Sequence, residues 1–268
     1  MTSRAIVAVA CIALGGAIAA CAEGEETDGS AGARAGDRIP GATAPLGGTQ
    51  VGTYAISDGA GGVSHVGATL PLAVFAATSP VTATADFPDL VKQMTFFNHI
   101  YFKRMPEGHT PTPYLVDHLD LFFYGIPLSE RNSISCTNEV MPPEALIPGG
   151  YVIASVGGEG QVGDCIPLVG IQALDSTSPE LALQNPLPFS KTMVIGYHAG
   201  EVSFLEPMVA RTTLEARQSF TLAVPRPAYL DRKTLWPTRF DATYDPTTDG
   251  YTLVFSEFVP LPEIAPIE

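Results

Sequence analysis

The sequence predicts a mainly β chain with short helices, an α+β domain folded as one antiparallel sandwich or partly closed barrel. Three observations carry that expectation. The chain has 26 Gly and 24 Pro among 268 residues, the punctuation of many turns rather than of a helical bundle. Short runs rich in β-branched and aromatic residues recur between those breakers. Hydrophobic residues make up 46%, enough for a full core and too many for wholesale disorder.

The N-terminus reads as a targeting segment. "MTSRAIVAVACIALGGAIAAC" carries one Arg and then runs apolar from Ala5 to Ala20. The run is too short and too rich in Ala and Gly for a membrane span, and it has the charged-then-apolar order of a secretion signal, residues 1–20. It closes on Ile18 to Cys21, "IAAC", the pattern of a bacterial lipobox. Cleavage before Cys21 and lipidation of its thiol are therefore expected over ordinary secretion, in which a Cys directly after the small pair is rare. Ala22 offers no Asp-type signal for inner-membrane retention, so the expected location is the bacterial cell envelope, at the outer membrane where one is present.

Residues 21–50 contain mostly Gly, Ala, Thr, Glu and Asp and read as a flexible tether. Residues 51–268 read as a single β-rich domain. "VGTYAIS" and "GVSHVGATLPLAVF" are opening strands. "DFPDLVKQM" is a short helix, with Asp86 as N-cap, Pro88 in the first turn and Asp89 near the positive end of the dipole. "FNHIYFKR", "LVDHLDLFFYG", "YVIASVG" and "KTMVIGYHA" are strands, and "TTLEARQ" is a second short helix. "TRFDATYDPTTDGYTLVFSEF" is a hairpin turning at Asp245 to Gly250. Trp236 belongs to the core.

The formal net charge of −14 argues against nucleic acid, which demands clustered Lys and Arg. The membrane partner is expected through the lipid anchor, alongside self-association or another envelope protein. Of the 4 Cys, Cys11 leaves with the signal and Cys21 takes the lipid. Cys136 and Cys165 remain in an oxidising compartment, outside any C-x-x-C pair, and a structural disulfide between them is expected.

Val116 to Tyr124 holds the densest chemistry. Alternation puts His118, Asp120, Phe122 and Tyr124 on one face, and Asp117, Leu119, Leu121 and Phe123 on the other. The second is a core face after its first residue. The first mixes ionisable and aromatic groups, as a pocket lining does. His118 and Asp120 are close enough to hydrogen bond or to share a cation.

"FFNHIYFKRMPEGHTPTPYLVDHLDLFFYGI", "CIPLVGIQALDSTSPEL" and "FSKTMVIGYHAGEVSFLEPMVARTTL" together resemble an uncharacterised family of bacterial exported proteins, a domain of unknown function. Its signature runs GH-x-P, PHFDFHFY, G-x-HW and FLEPM. The matching positions are His99, Gly108, His109, Pro111, His118, Asp120, Tyr124, Ser178 to Leu181, Gly196, Gly200, Phe204, Glu206, Pro207 and Met208, spread over Thr95 to Phe258. The resemblance implies a shared fold and a shared pocket of His99, His109, His118, Asp120, Tyr124 and Glu206, with no assigned activity. Phe122 and Gln172 stand where the family has histidines. If those histidines bind metal, a site lacking two imidazoles is expected to be weak or empty, and His109, His118 and Asp120 are the ligands left.

No G-x-S-x-G elbow, H-E-x-x-H, P-loop or dinucleotide fingerprint is present. "SDGAGGV" and "GGEGQVG" read as loops. "DPTTDG" lacks the ligand spacing of a calcium loop. No motif demands a cofactor, and a divalent metal is the one candidate. The expected function is an envelope lipoprotein that binds a small ligand or assembles through a His/Asp-lined pocket. The alternatives are a metal-dependent enzyme using the His/Asp/Glu cluster, and a scaffold in which the polar cluster only stabilises the fold.

Overall fold

Strand β1 (Arg38–Leu46) opens the domain, followed by β2 (Thr49–Ser57) and β3 (Val63–Pro71). Next come β4 (Val81–Asp86), helix α1 (Asp89–Met94), β5 (His99–Met105), β6 (His118–Tyr124) and helix α2 (Leu128–Arg131). Strands β7 (Tyr151–Ile153), β8 (Ile171–Asp175), β9 (Lys191–His198) and β10 (Glu201–Ala210) lead into helix α3 (Arg211–Glu215). The chain finishes with β11 (Phe220–Ala223), β12 (Leu235–Trp236), β13 (Arg239–Asp245), β14 (Gly250–Ser256) and β15 (Val259–Pro260). This computed structural model describes residues 33–137, 139–154 and 165–263. The signal segment, Cys21, the first part of the tether and the "GGEGQVG" loop lie outside the described residues.

Two antiparallel sheets pack as a sandwich rather than closing into a barrel. One has the strand order β1-β2-β3-β14-β13-β11, the other β4-β5-β6-β10-β9-β8-β7. Their facing sides interleave Val66, Ala68, Phe240, Leu253 and Phe255 with Ile100, Phe102, Leu121, Phe123 and Leu205. Phe123 sits at the centre, with the Phe255 ring 4.8 Å away edge-on and that of Phe87 at 5.8 Å. Trp236 is fully buried, and its Nε1–H donates to the Pro225 carbonyl at 3.0 Å. Cys136 and Cys165 are joined by the expected disulfide, with Cα atoms 5.6 Å apart.

The second sheet is buried on both sides, and this positions the site. All seven residues of β6 are buried, because loops cover the face turned away from the sandwich core. Beneath those loops lies a second apolar cluster of Tyr114, Phe122, Tyr124, Phe189, Val194, Phe204 and Met208. The alternation read from "HLDLFFY" is thus realised: Leu119, Leu121 and Phe123 enter the main core, while Phe122 and Tyr124 enter the second.

Two expectations need correction. The segment read as tether contains β1, so the domain begins by Arg38 rather than at residue 51. As a sheet-edge strand, β1 buries only Ala44 and Leu46, and its Pro40 is tolerated where a bulge interrupts the pairing with β2. Its polar composition therefore hid a backbone held by ladder hydrogen bonds. Helix α1 forms as expected, but Pro88 is its cap residue. Asp86 ends β4 and receives Lys92 at 2.9 Å. Glu206 lies inside β10, which continues through Pro207 to Ala210. The "DPTTDG" turn is a hairpin between β13 and β14, tied by Thr247 N–H donating to Asp245 Oδ1 at 2.8 Å.

Candidate functional site

Asp120 is the centre of a polar cluster on the loop-covered face of the second sheet. Register places Lys103 of β5 on one side of it and Met208 of β10 on the other. The same register sets Glu206 opposite Phe122, one alternation further along. His118 precedes Asp120 on the same face. His109 arrives from the β5–β6 loop, where Gly108 has φ +69 and a Cβ would collide with the Tyr114 carbonyl. Only Gly suits that turn.

His118 Nε2 lies 3.0 Å from Asp120 Oδ1, and His109 Nε2 lies 3.6 Å from Oδ2. Lys103 Nζ is 3.9 Å from Oδ2. Each imidazole is fixed from behind. Nδ1–H of His109 donates to the Thr110 carbonyl and that of His118 to the Val116 carbonyl, both at 2.7 Å. The two rings meet edge to face at 4.8 Å, and Phe189 closes over His118 at 6.0 Å. Despite their closeness, His118 Nε2 and both Asp120 oxygens lack a partner in hydrogen-bonding geometry. Glu206 Oε1 is unpartnered as well, while its Oε2 accepts from Gln172 Nε2 at 2.7 Å.

The two carboxyls are shifted in opposite directions. Burial alone would raise Asp120, but the adjacent His109 and His118 imidazoles outweigh it and hold that carboxyl well below its ordinary value. Burial pushes Glu206 well above the carboxylate range, and the charge on Asp120 adds to the rise against the weaker pulls of Lys103 and Gln172. His109 is raised despite its burial, through its contact with Asp120. The same face therefore pushes its two carboxyls in opposite directions, Asp120 down and Glu206 up.

Two residues expected in the pocket lie elsewhere. The register pairs His99 with Tyr124 and Met105 with His118, so His99 lies six residues along the strand from His118, about 20 Å away. There the His99 and Tyr124 rings stack at 4.9 Å, and Arg131 covers the Tyr101 ring at 3.9 Å. Alternation fixes the face a residue occupies but not its distance along that face. Asp117 stands apart from the cluster too, paired with Arg104 at 2.7 Å and Arg211 at 3.3 Å.

Sequence reasoning missed Lys103, Tyr114 and Phe189 as neighbours of the site. Lys103 was legible in principle, since it shares the alternation of His99 and Tyr101 on β5. Tyr114 and Phe189 come from covering loops, and no local pattern places them. A groove of 790 Å³ lined by Val116, Leu187, Phe189 and Arg211 lies beyond Phe189 and does not include His109, His118 or Asp120.

No family model, no curated protein and no solved structure matches this chain. The family resemblance rests on its motifs, and function has to be argued from the site.

Proposed function

We propose that this protein is an exported lipoprotein of the bacterial cell envelope whose sandwich domain binds one small ligand at the Asp120 cluster. One observation carries the binding reading. Among the described residues, His118 Nε2, both Asp120 oxygens and Glu206 Oε1 are buried, lack a partner and lie on one face of one sheet. Unsatisfied buried polar atoms cost about 1–3 kcal/mol each, and a cluster of them is what a ligand would satisfy. The export reading is supported by the lipobox-like "IAAC" and by the Cys136–Cys165 disulfide, which suits an oxidising compartment.

The binding reading is tested by stability, without knowing the ligand. Asp120→Asn removes a buried charge that no hydrogen bond satisfies, and Glu206→Gln exchanges a carboxyl for an amide of the same shape, so a binding site predicts that each leaves the Tm of the purified protein unchanged or raises it. If the cluster were only a structural network, breaking it would cost about 3 kcal/mol, and such a loss refutes the reading. The anchor is tested by Cys21→Ser, which should move the protein from the membrane to the soluble envelope fraction. A variant that stays membrane-bound overturns the lipid assignment.

A second reading, a metal-dependent enzyme, is favoured by the opposite shifts of Asp120 and Glu206 on one face, an arrangement suited to paired acid and base roles.

A further inference from the structure

We infer that the ligand is a divalent first-row transition-metal ion, held by Nε2 of His109, Nε2 of His118 and the Asp120 carboxylate. The inference rests on the binding reading above and narrows it to one chemical class.

The histidine tautomers carry it. A backbone carbonyl can only accept, so the 2.7 Å contacts to Thr110 and Val116 require each Nδ1 to carry the hydrogen. In the neutral form of each ring, Nε2 is then the nitrogen that offers a lone pair. Both point at the same carboxylate, at 3.6 and 3.0 Å. A lone pair facing a carboxylate oxygen is repulsive unless a cation lies between them. A proton on His118 Nε2 would serve if it formed a hydrogen bond, yet neither Asp120 oxygen receives one in acceptable geometry. A metal ion between them satisfies all three groups. Imidazoles held by Nδ1–H donation to a carbonyl are the usual way a protein aims Nε2 at a metal.

Distance and donor type select the class. The three donor atoms lie within 4.8 Å of one another, a span bridged by an ion rather than by an organic molecule. Tetrahedral zinc, with bonds of about 2.0–2.2 Å, places its donors about 3.3 Å apart. His118 and Asp120 already meet that spacing from one rigid strand. His109, on a loop and with a partly exposed side chain, supplies the remaining movement. Two nitrogens and one oxygen suit zinc, copper, nickel or ferrous iron, whereas calcium and magnesium favour all-oxygen sets. The loop histidine thus completes a three-donor set despite the Phe122 and Gln172 departures. Lys103 opposes the ion, because its ammonium balances the Asp120 charge from 3.9 Å.

The test is zinc titration of the purified full chain after chelator treatment, followed by calorimetry and by the visible absorption of cobalt(II) as a replacement ion. We expect one zinc per chain, unaffected by excess magnesium. His109→Ala and His118→Ala should each weaken binding at least about tenfold, and the surface control Asp89→Asn should not. Lys103→Met removes no donor and should tighten binding, which keeps the inference testable if a histidine variant fails to fold. Zinc binding that survives His109→Ala with His118→Ala, no zinc binding by the wild type, or an unchanged affinity in Lys103→Met overturns it. If Asp120→Asn and Glu206→Gln keep their Tm while no zinc binds, the metal falls and the binding reading stands. If those variants unfold the protein, both fall.

Discussion

Arg104 and Asp117 form a two-pronged ion pair, Nε to Oδ1 at 3.2 Å and Nη2 to Oδ2 at 2.7 Å, across the neck of the loop that carries His109. Arg104 is buried near the end of β5, and Asp117 immediately precedes β6. Planar guanidinium and carboxylate fit each other in this mode, which fixes orientation as well as distance. Asp117→Asn leaves the Arg104 charge buried without its partner, and a loss of about 3 kcal/mol is expected in urea denaturation. A loss below about 1 kcal/mol would show an ion pair screened like an ordinary surface pair.

Cys136→Ser with Cys165→Ser opens a crosslink spanning 29 residues of sequence separation. Loop-closure entropy gives about 3 to 4 kcal/mol for that length. In a chain of this size the expected fall in Tm is roughly 6 to 16 °C. An unchanged Tm in exported protein would mean that the unfolded chain is already constrained there.

His99 supplies a pH dependence separate from the Asp120 cluster. Burial first, and then the Arg131 charge, push its imidazole down to about 4 from an ordinary 6.5. Between those values the unfolded chain takes up a proton that the folded chain refuses. Stability is therefore lost as pH falls from about 6.5 toward 4, and the loss levels off below that. At about 1.4 kcal/mol per pH unit the total is on the order of 3 kcal/mol. His99→Gln should flatten the urea midpoint over this window. Equal slopes in the variant and the wild type would rule His99 out as the source.

Phe122→His combined with Gln172→His restores the histidines of the resembled family beside Glu206. The register already sets Glu206 opposite Phe122, and Gln172 already bonds Glu206 at 2.7 Å. If the family pocket is metallic, the double variant should bind zinc more tightly than the wild type, by about tenfold or more per added imidazole. No gain in calorimetry would separate the family motif from metal binding, whatever the wild-type cluster does.

The fold class was legible in the sequence because turn residues and alternating runs are local signals. "HLDLFFY" declared its two faces, "DPTTDG" its hairpin, and the two cysteines beyond residue 21 their bond. Those features depend on neighbours in the chain, or on there being no other candidate. Tertiary structure decided the rest. The β1 strand has little apolar signal, because at a sheet edge its order comes from backbone pairing with β2. His99 and His118 share the loop-covered face, yet their strands set them about 20 Å apart. His109, assigned to the pocket only through the family motif, is carried to 3.6 Å from Asp120 by the loop between two paired strands. Gln172 and Glu206 meet only because β8, β9 and β10 lie side by side. Alternation specifies a face, but only strand order, register and the loops folded over that face specify which of its side chains meet.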